Sequence, residues 1–73
     1  MPKSDIRQYT RLIIRRGNEY LVGVQVGTGL LRWSSSPWDA WWTRTRANAV
    51  SVAMKTDGHI CLFNPVAGDV KRF

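Results

Sequence analysis

The stretch that decides the fold runs from Tyr9 to Val26 and reads YTRLIIRRGNEYLVGVQV. Its first part, Tyr9 to Arg15, is rich in β-branched and aromatic residues, which favour strands. Residues 17–19 supply the conformational freedom that a hairpin reversal needs. In the second part, from residue 20 onward, valines alternate on one face with the period of two that marks a half-buried strand. These are Val22, Val24 and Val26. The stretch therefore predicts a β-hairpin.

The remaining strands are predicted on both sides of a helical region. A turn at residues 27–29 leads to a third run, Leu30 to Trp33, which completes a three-stranded meander. After the helical region, His59 to Phe63 forms a last strand, and residues 70–73 offer a short fifth one. The order β-β-β-α-β, with or without this fifth strand, predicts an α+β fold: a small single-layer antiparallel sheet with helix packed on one face.

The helical region carries a start signal at Ser36 and Pro37, a capping residue followed by proline at the first helical position. Three tryptophans then follow at i, i+3 and i+4 and are predicted to form one helical stripe. They are Trp38, Trp41 and Trp42.

The sequence leaves open whether this is one helix or two. The first helix either continues to Lys55, or a second helix capped by Thr43 or Thr45 begins near Arg46. Gly58 is expected to take the left-handed conformation that commonly ends a helix.

The chain is short and basic, with 73 residues, a formal net charge of +6 and a pI near 10.5. This length predicts a single domain, residues 1–73, with residues 1–5 frayed. Cys61 is the only cysteine, which excludes an internal disulfide. We read no signal peptide or transmembrane segment in the sequence, and this predicts a cytoplasmic protein of the host cell cytosol that makes no membrane contact. The charge predicts attraction to polyanions and acidic surfaces.

All four tryptophans lie between residues 33 and 42, and arginines at positions 32, 44 and 46 flank them. Two or three tryptophans are expected in the core, because so small a chain has few other large residues to fill it. Neighbouring helical residues point about 100° apart, so one of the rings is expected at the rim of the core. Exposed tryptophan flanked by arginine is typical of binding hot spots. We therefore predict these partner-binding residues: Arg11, Arg15, Arg32, Trp38, Trp41, Trp42, Arg44 and Arg46.

The first strand offers an alternative, a nucleic-acid-binding face. Arginines would contact phosphates, and the tyrosine would stack on a base. The residues predicted for this role are Arg7, Tyr9, Arg11 and Arg15. The simpler interpretation is a solvated face whose arginine stems cover the sheet.

Catalysis is not predicted. His59 and Cys61 share a strand face, but no second histidine or orienting group accompanies them. The acidic residues are scattered singly, and Gly27-Thr28-Gly29 lacks the lysine and helix of a phosphate-binding loop. No catalytic, cofactor-binding or metal-binding residue is therefore predicted, and no cofactor.

Two stretches carry a resemblance to a group of proteins. Ser35-Ser36-Pro37-Trp38-Asp39-Ala40-Trp41 and Phe63-Asn64-Pro65-Val66-Ala67-Gly68-Asp69-Val70 resemble small uncharacterised proteins of prophages and mobile elements. Such proteins have a β-hairpin, an alanine-rich helix and a closing F-N-P-x-x-G turn. The resemblance covers the second half of the chain, which has Asp57-Gly58 where two glycines are expected. It implies a protein that acts by binding, as inhibitors of host defence such as anti-CRISPR proteins do.

The leading hypothesis is a non-catalytic phage-type protein that inhibits a host protein or ribonucleoprotein complex by docking on its acidic surface. Host-defence inhibition is its most concrete version. The alternative is a small basic nucleic-acid-binding module, whose affinity would fall steeply with salt. A homodimer is compatible with either hypothesis.

Overall fold

The computed structural model describes residues 11–73, so the predictions for Arg7 and Tyr9 and for the fraying of residues 1–5 lie outside it. Residues 11–73 form six strands and one α-helix. The strands are β1 (Arg11–Arg16), β2 (Glu19–Val24), β3 (Leu31–Ser34), β4 (Trp42–Thr43), β5 (His59–Asn64) and β6 (Asp69–Arg72). The helix, α1, is Arg46–Thr56, and Pro37–Asp39 forms a single 3-10 turn.

Strand β1 lies at the centre of one antiparallel sheet of order β3-β2-β1-β5-β6. One edge of β1 pairs with β5 over five residues. The other edge is shared, since β2 pairs with Arg15 and Arg16, and β4 pairs with Leu12 and Ile13. The predicted α+β fold, an antiparallel sheet with helix on one face, is confirmed, and the short strand after the F-N-P turn is present.

Both faces of the central strand are covered, because Leu12, Ile13 and Ile14 are all buried in succession. Helix α1 covers one face, the helix face, where Ile14 packs with Leu21 and Ala53. On the opposite face Ile13 packs with a second group of buried residues: Tyr20, Ala40, Cys61 and Phe63. The second group is covered by the irregular segment between β3 and β4, which contributes Ala40.

The predicted tryptophan helix is wrong. The 3-10 turn ends at Ala40, whose φ of −72° and ψ of 144° are extended. The amide of Trp41 then donates to the Leu21 carbonyl at 2.8 Å, and Trp42 enters β4. Aromatic and β-branched residues fit a pleated surface, and here tertiary pairing with β1 and β2 overrides the helix-start signal. Ser36 makes no side-chain cap; instead its amide donates to Ser34 Oγ.

The sequence left open where the helix before Lys55 begins. In the structure it begins at Arg46, directly after Thr45. Its end differs from the prediction, because Asp57 and not Gly58 takes the left-handed conformation, with φ 58°. Gly58 is needed for another reason. A Cβ there would lie 2.6 Å from Ile14 Cγ2 and 3.1 Å from the Arg15 carbonyl oxygen.

The predicted buried valine face is also wrong. The register between β2 and β3 shifts between Leu21 and Gly23, which disrupts the alternation. The residues of β2 that are buried are Tyr20 and Leu21, whereas Val24 and Val26 are exposed. Beyond the shift the β2–β3 hairpin is exposed from residue 24 to residue 32.

Candidate functional site

Trp42 and two arginines form a contact cluster on the face opposite the helix. Trp42 pairs across the sheet with Ile13, so it shares a face with Arg11, two residues earlier on β1. The Arg11 guanidinium lies 4.6 Å from the Trp42 ring centroid, and that of Arg44 lies 5.5 Å from it. Trp42 remains 39% exposed. The ring thus packs on the sheet and orients two cations at the surface.

Trp38 lies on the same face, above β5. Its ring meets that of Phe63 edge-on, with centroids 5.3 Å apart and planes at 89°. Phe63 is the cross-strand partner of Arg11, which places Trp38 over the strand next to the Trp42 cluster. Gly68, with φ 83°, lies under the ring, where a Cβ would come within 2.6 Å of Trp38 Cη2. Trp38 is anchored at one edge but 56% exposed.

Arg15 extends the positive charge along β1. Its guanidinium lies 5.7 Å from the Tyr20 ring centroid, and its Nε donates to the Gly17 carbonyl at 2.9 Å. These two contacts hold the side chain in one direction. We call the set Arg11, Arg15, Trp38, Trp42 and Arg44 the Trp–Arg surface.

The strand positions of this face are basic, and the carboxylate that accompanies them is Asp39 in the covering 3-10 turn, which accepts from Ser34 Oγ at 3.4 Å. The charged or titratable side chains that β1, β4, β5 and β6 place there are Arg11, Arg15, His59 and Arg72, with no carboxylate among them. Glu19 and Asp69 pair with Arg16 and Asn64, on the helix face. A guanidinium over a ring keeps its N–H groups in its own plane, so it can still donate to a carboxylate or phosphate.

Three of the residues predicted for partner binding lie elsewhere. Trp41 is half-buried against the core of the helix face. Arg32 is exposed on the edge strand β3, opposite Gly23 and two strands away from Arg11. Arg46 begins α1, and its guanidinium lies 5.4 Å from the Phe73 ring centroid. Adjacent residues of a strand point to opposite faces, which explains why Trp41 and Trp42 separate.

Sequence reasoning missed two arginines. Arg16 lies 4.3 Å from the Trp33 ring centroid on the helix face and also reaches the Thr56 carbonyl, at 3.4 Å. Arg72 joins the opposite face because β6 pairs it with Cys61. The β5–β6 register assigns Arg72 to the same face as Arg15, two strands away from it. Knowledge of that register would have been needed to predict this position from the sequence.

Cys61 and His59 lie two residues apart on the same face of β5, but their environments differ. The Cys61 thiol is 2% exposed, whereas His59 is exposed. Burial raises the pKa of the thiol, and the charges of Arg15 and then Arg72 oppose this shift. Among residues 11–73, no three histidine, cysteine or acidic side chains gather as metal ligands would.

Comparisons with protein-family models, curated proteins and solved structures give no match for this chain. The likeness to prophage and mobile-element proteins stays a prediction, which rests on the two quoted stretches. Over the part of the chain that the structure describes, no helix has the length and apolar character to cross a membrane.

Proposed function

We propose that this protein is a non-catalytic binding module that docks its Trp–Arg surface on an acidic surface of a host protein or ribonucleoprotein complex. The observation that carries the proposal is the placement of Arg11 and Arg44 against an exposed Trp42 ring, on a sheet face where no strand position within residues 11–73 holds a carboxylate. Inhibition of a host-defence complex, as an anti-CRISPR protein would act, is its most concrete form.

The physical basis is a preorganised contact. Each cation–π contact at an exposed site stabilises the guanidinium by about 0.5–1 kcal/mol, so less conformational entropy is lost when a partner carboxylate binds. Trp42 and Trp38 supply the desolvated aromatic area that hot spots use, and the arginines supply bidentate contacts. A surface of this charge attracts acidic partners and does not imitate DNA.

The partner experiment compares the wild-type protein with the double variant Trp42→Ala/Arg44→Ala in affinity purification from bacterial lysate. Arg32→Ala is the matched control, because Arg32 is exposed but lies outside the Trp–Arg surface. We expect an acidic protein or ribonucleoprotein complex that the double variant retains at least about 10-fold less than either other form, a factor equal to about 1.4 kcal/mol. Equal retention by all three forms would contradict the proposal.

The defence experiment expresses the same three forms in cells whose CRISPR system targets an infecting phage. We expect the wild-type protein and Arg32→Ala to restore plaque formation and the double variant to fail. If no form restores plaques, host-defence inhibition is wrong, while docking on another acidic complex is still judged by the affinity purification.

The second candidate is nucleic-acid binding, favoured by the row of arginines on β1, since Arg11 and Arg15 stand on one face beside Trp42 and Tyr20. Phosphate contacts by several cations lower the affinity steeply with salt, whereas a contact anchored by tryptophan is less salt-sensitive. Fluorescence anisotropy with single- and double-stranded oligonucleotides at 50 and 200 mM salt separates the two functions. Absence of binding at 50 mM salt would exclude this candidate.

A further inference from the structure

A second surface lies beside α1 and shares no residue with the Trp–Arg surface. A groove of about 430 Å³ runs between α1 and the β5–β6 hairpin. Its walls include Val50 and Met54 from the helix and Phe73 after β6, which are 40%, 80% and 52% exposed. Ala53 and Ile60 lie between them. Large apolar side chains are therefore gathered in one exposed concave site.

The groove exists because one helix is too narrow to cover this sheet. Five strands about 4.8 Å apart span about 20 Å, whereas a helix with its side chains is about 10 Å wide. Helix α1 packs on β1 and β5. Toward β3 the layer is continued by Trp33 and Trp41, which pack beside it. On the side of α1 toward β6, the groove lies where a second covering element would otherwise pack on the sheet.

The side of α1 that faces the groove has the spacing of a helix-packing stripe. Arg46, Val50 and Met54 follow at i, i+4 and i+8, and residues four apart are neighbours on a helix surface. The Arg46 guanidinium closes one end of the stripe against the Phe73 ring. A second helix laid along this stripe would bury Val50 and Met54 in the way that packed helices bury their ridges.

The charges around the groove select the sign of its occupant. Arg72, His59 and Asp57 line it, and Arg46 lies at one end beside Phe73. Two guanidinium groups thus stand against one carboxylate. The volume, about 430 Å³, is near the lower end of the range for ligand sites and suits two or three aliphatic side chains.

We propose that this groove, defined by Val50, Met54, Ile60 and Phe73, binds an amphipathic helix of a partner protein that presents aliphatic side chains flanked by carboxylates. The site shares no residue with the Trp–Arg surface, although His59 and Arg72 from the opposite face also line it. It adds a second, independent contact, which would raise the overall affinity when both sites engage one complex.

The test is selection from a display library of random 16-residue peptides on the immobilised full-length chain. Three variants follow: Met54→Glu, which places a carboxylate in the groove; Val26→Glu, a matched control at a residue that is 96% exposed in a distant turn; and Trp42→Ala/Arg44→Ala. We expect enriched peptides with aliphatic residues at helical spacing and an excess of aspartate and glutamate. Their affinity should fall at least about 10-fold with Met54→Glu and change less than about 2-fold with the other two.

Three outcomes would overturn the proposal: no enrichment, enrichment of basic or uncharged sequences, or binding that Met54→Glu leaves intact. Concentration-dependent dimerisation that Met54→Glu abolishes would also overturn it, because the occupant would then be a second copy of the chain. The Trp42→Ala/Arg44→Ala variant distinguishes this proposal from the proposed function, since it removes only the Trp–Arg surface.

Discussion

The two faces of the sheet are covered by different kinds of structure. On the helix face, a regular helix brings the small residues Ala49 and Ala53 down onto the sheet, and both are buried. On the opposite face, the irregular segment from residue 35 to residue 41 covers Ile13 through Ala40 and leaves Trp38 partly in solvent, and Trp42 of β4 is also partly exposed. The same large rings therefore complete a small core and form a contact surface.

This difference follows from packing geometry. A helix satisfies its own backbone hydrogen bonds and can lie close to a sheet when its contact residues are small. An irregular segment must find external partners, as Trp41 does in donating to the Leu21 carbonyl. Its covering side chains are the small, buried Ala40 and the large Trp38, which is incompletely buried. We expect the helix face to respond to substitution mainly through stability, and the opposite face mainly through binding.

The largest expected effect is that of Ile14→Ala on the helix face. Ile14 is fully buried, and its truncation should lower the free energy of unfolding by about 2–5 kcal/mol, because a cavity forms under α1. Urea denaturation followed by circular dichroism measures the change. Val26→Ala is the control and should alter the free energy by less than about 0.5 kcal/mol. A cost for Ile14→Ala similar to that of the control would refute tight packing on this face.

The next effect compares two glycines, one under each covering. At Gly58→Ala the new Cβ meets the buried Ile14 side chain and a backbone carbonyl, neither of which can move away easily. We expect a cost of about 1–3 kcal/mol from overpacking. At Gly68→Ala the obstacle is the exposed Trp38 ring, which can turn away, so the cost is mainly that of the positive φ, about 1 kcal/mol.

Tryptophan fluorescence distinguishes these two variants. Gly68→Ala should change the emission, because Trp38 leaves its place on Phe63, and Gly58→Ala should change it less. Identical spectra for wild type and Gly68→Ala would show that Trp38 does not lie over Gly68.

A smaller effect is expected from the arginine–ring contacts. Double-mutant cycles on Arg16–Trp33, on the helix face, and on Arg11–Trp42 should each give a coupling of about 0.5–1 kcal/mol in the free energy of unfolding. Arg32–Trp42 serves as the control pair and should give no coupling. If the Arg11–Trp42 coupling is also zero, the preorganisation of the Trp–Arg surface is refuted.

The smallest expected effect on stability at neutral pH is that of Cys61, which is buried in the cluster on the face opposite the helix. The folded state holds the thiol neutral by burial, so its raised pKa has no effect on stability well below the ordinary value of 9.0. Above that pH the unfolded chain gains more from ionisation, and stability should fall as the pH rises. The Cys61→Ala variant should lose this part of the pH dependence.

Thiol labelling checks the same residue independently. Native protein at pH 7.5 should react with a thiol reagent far more slowly than urea-unfolded protein, because Cys61 is 2% exposed. Equal rates in the two states would show that the thiol is accessible and would revive a catalytic or redox role.

Local sequence signals predicted most of the sheet but only part of the site. The strands at residues 11–16, 19–24, 31–34, 59–64 and 69–72 overlap the predicted runs, because alternation and turn residues are local signals. Strand β4 was missed, because Trp42–Thr43 is too short to show a period. It forms because β2 pairs with β1 only at Arg15 and Arg16 and leaves the edge of β1 before Arg15 free. The assignment of Arg11, Trp42 and Arg44 to one surface depends on that pairing.

The amino-acid sequence by itself determined the charge, the β-hairpin, a helix over residues 46–55 and the cluster of tryptophans flanked by arginines, since each depends on composition or on residues close along the chain. Only the tertiary structure decided which rings are exposed. Trp41 and Trp42 are adjacent in the chain, yet pairing of an extended backbone with β1 and β2 sends one to the helix-face core and the other to the surface. Residues distant along the chain make that choice through backbone hydrogen bonds, and no local pattern encodes it.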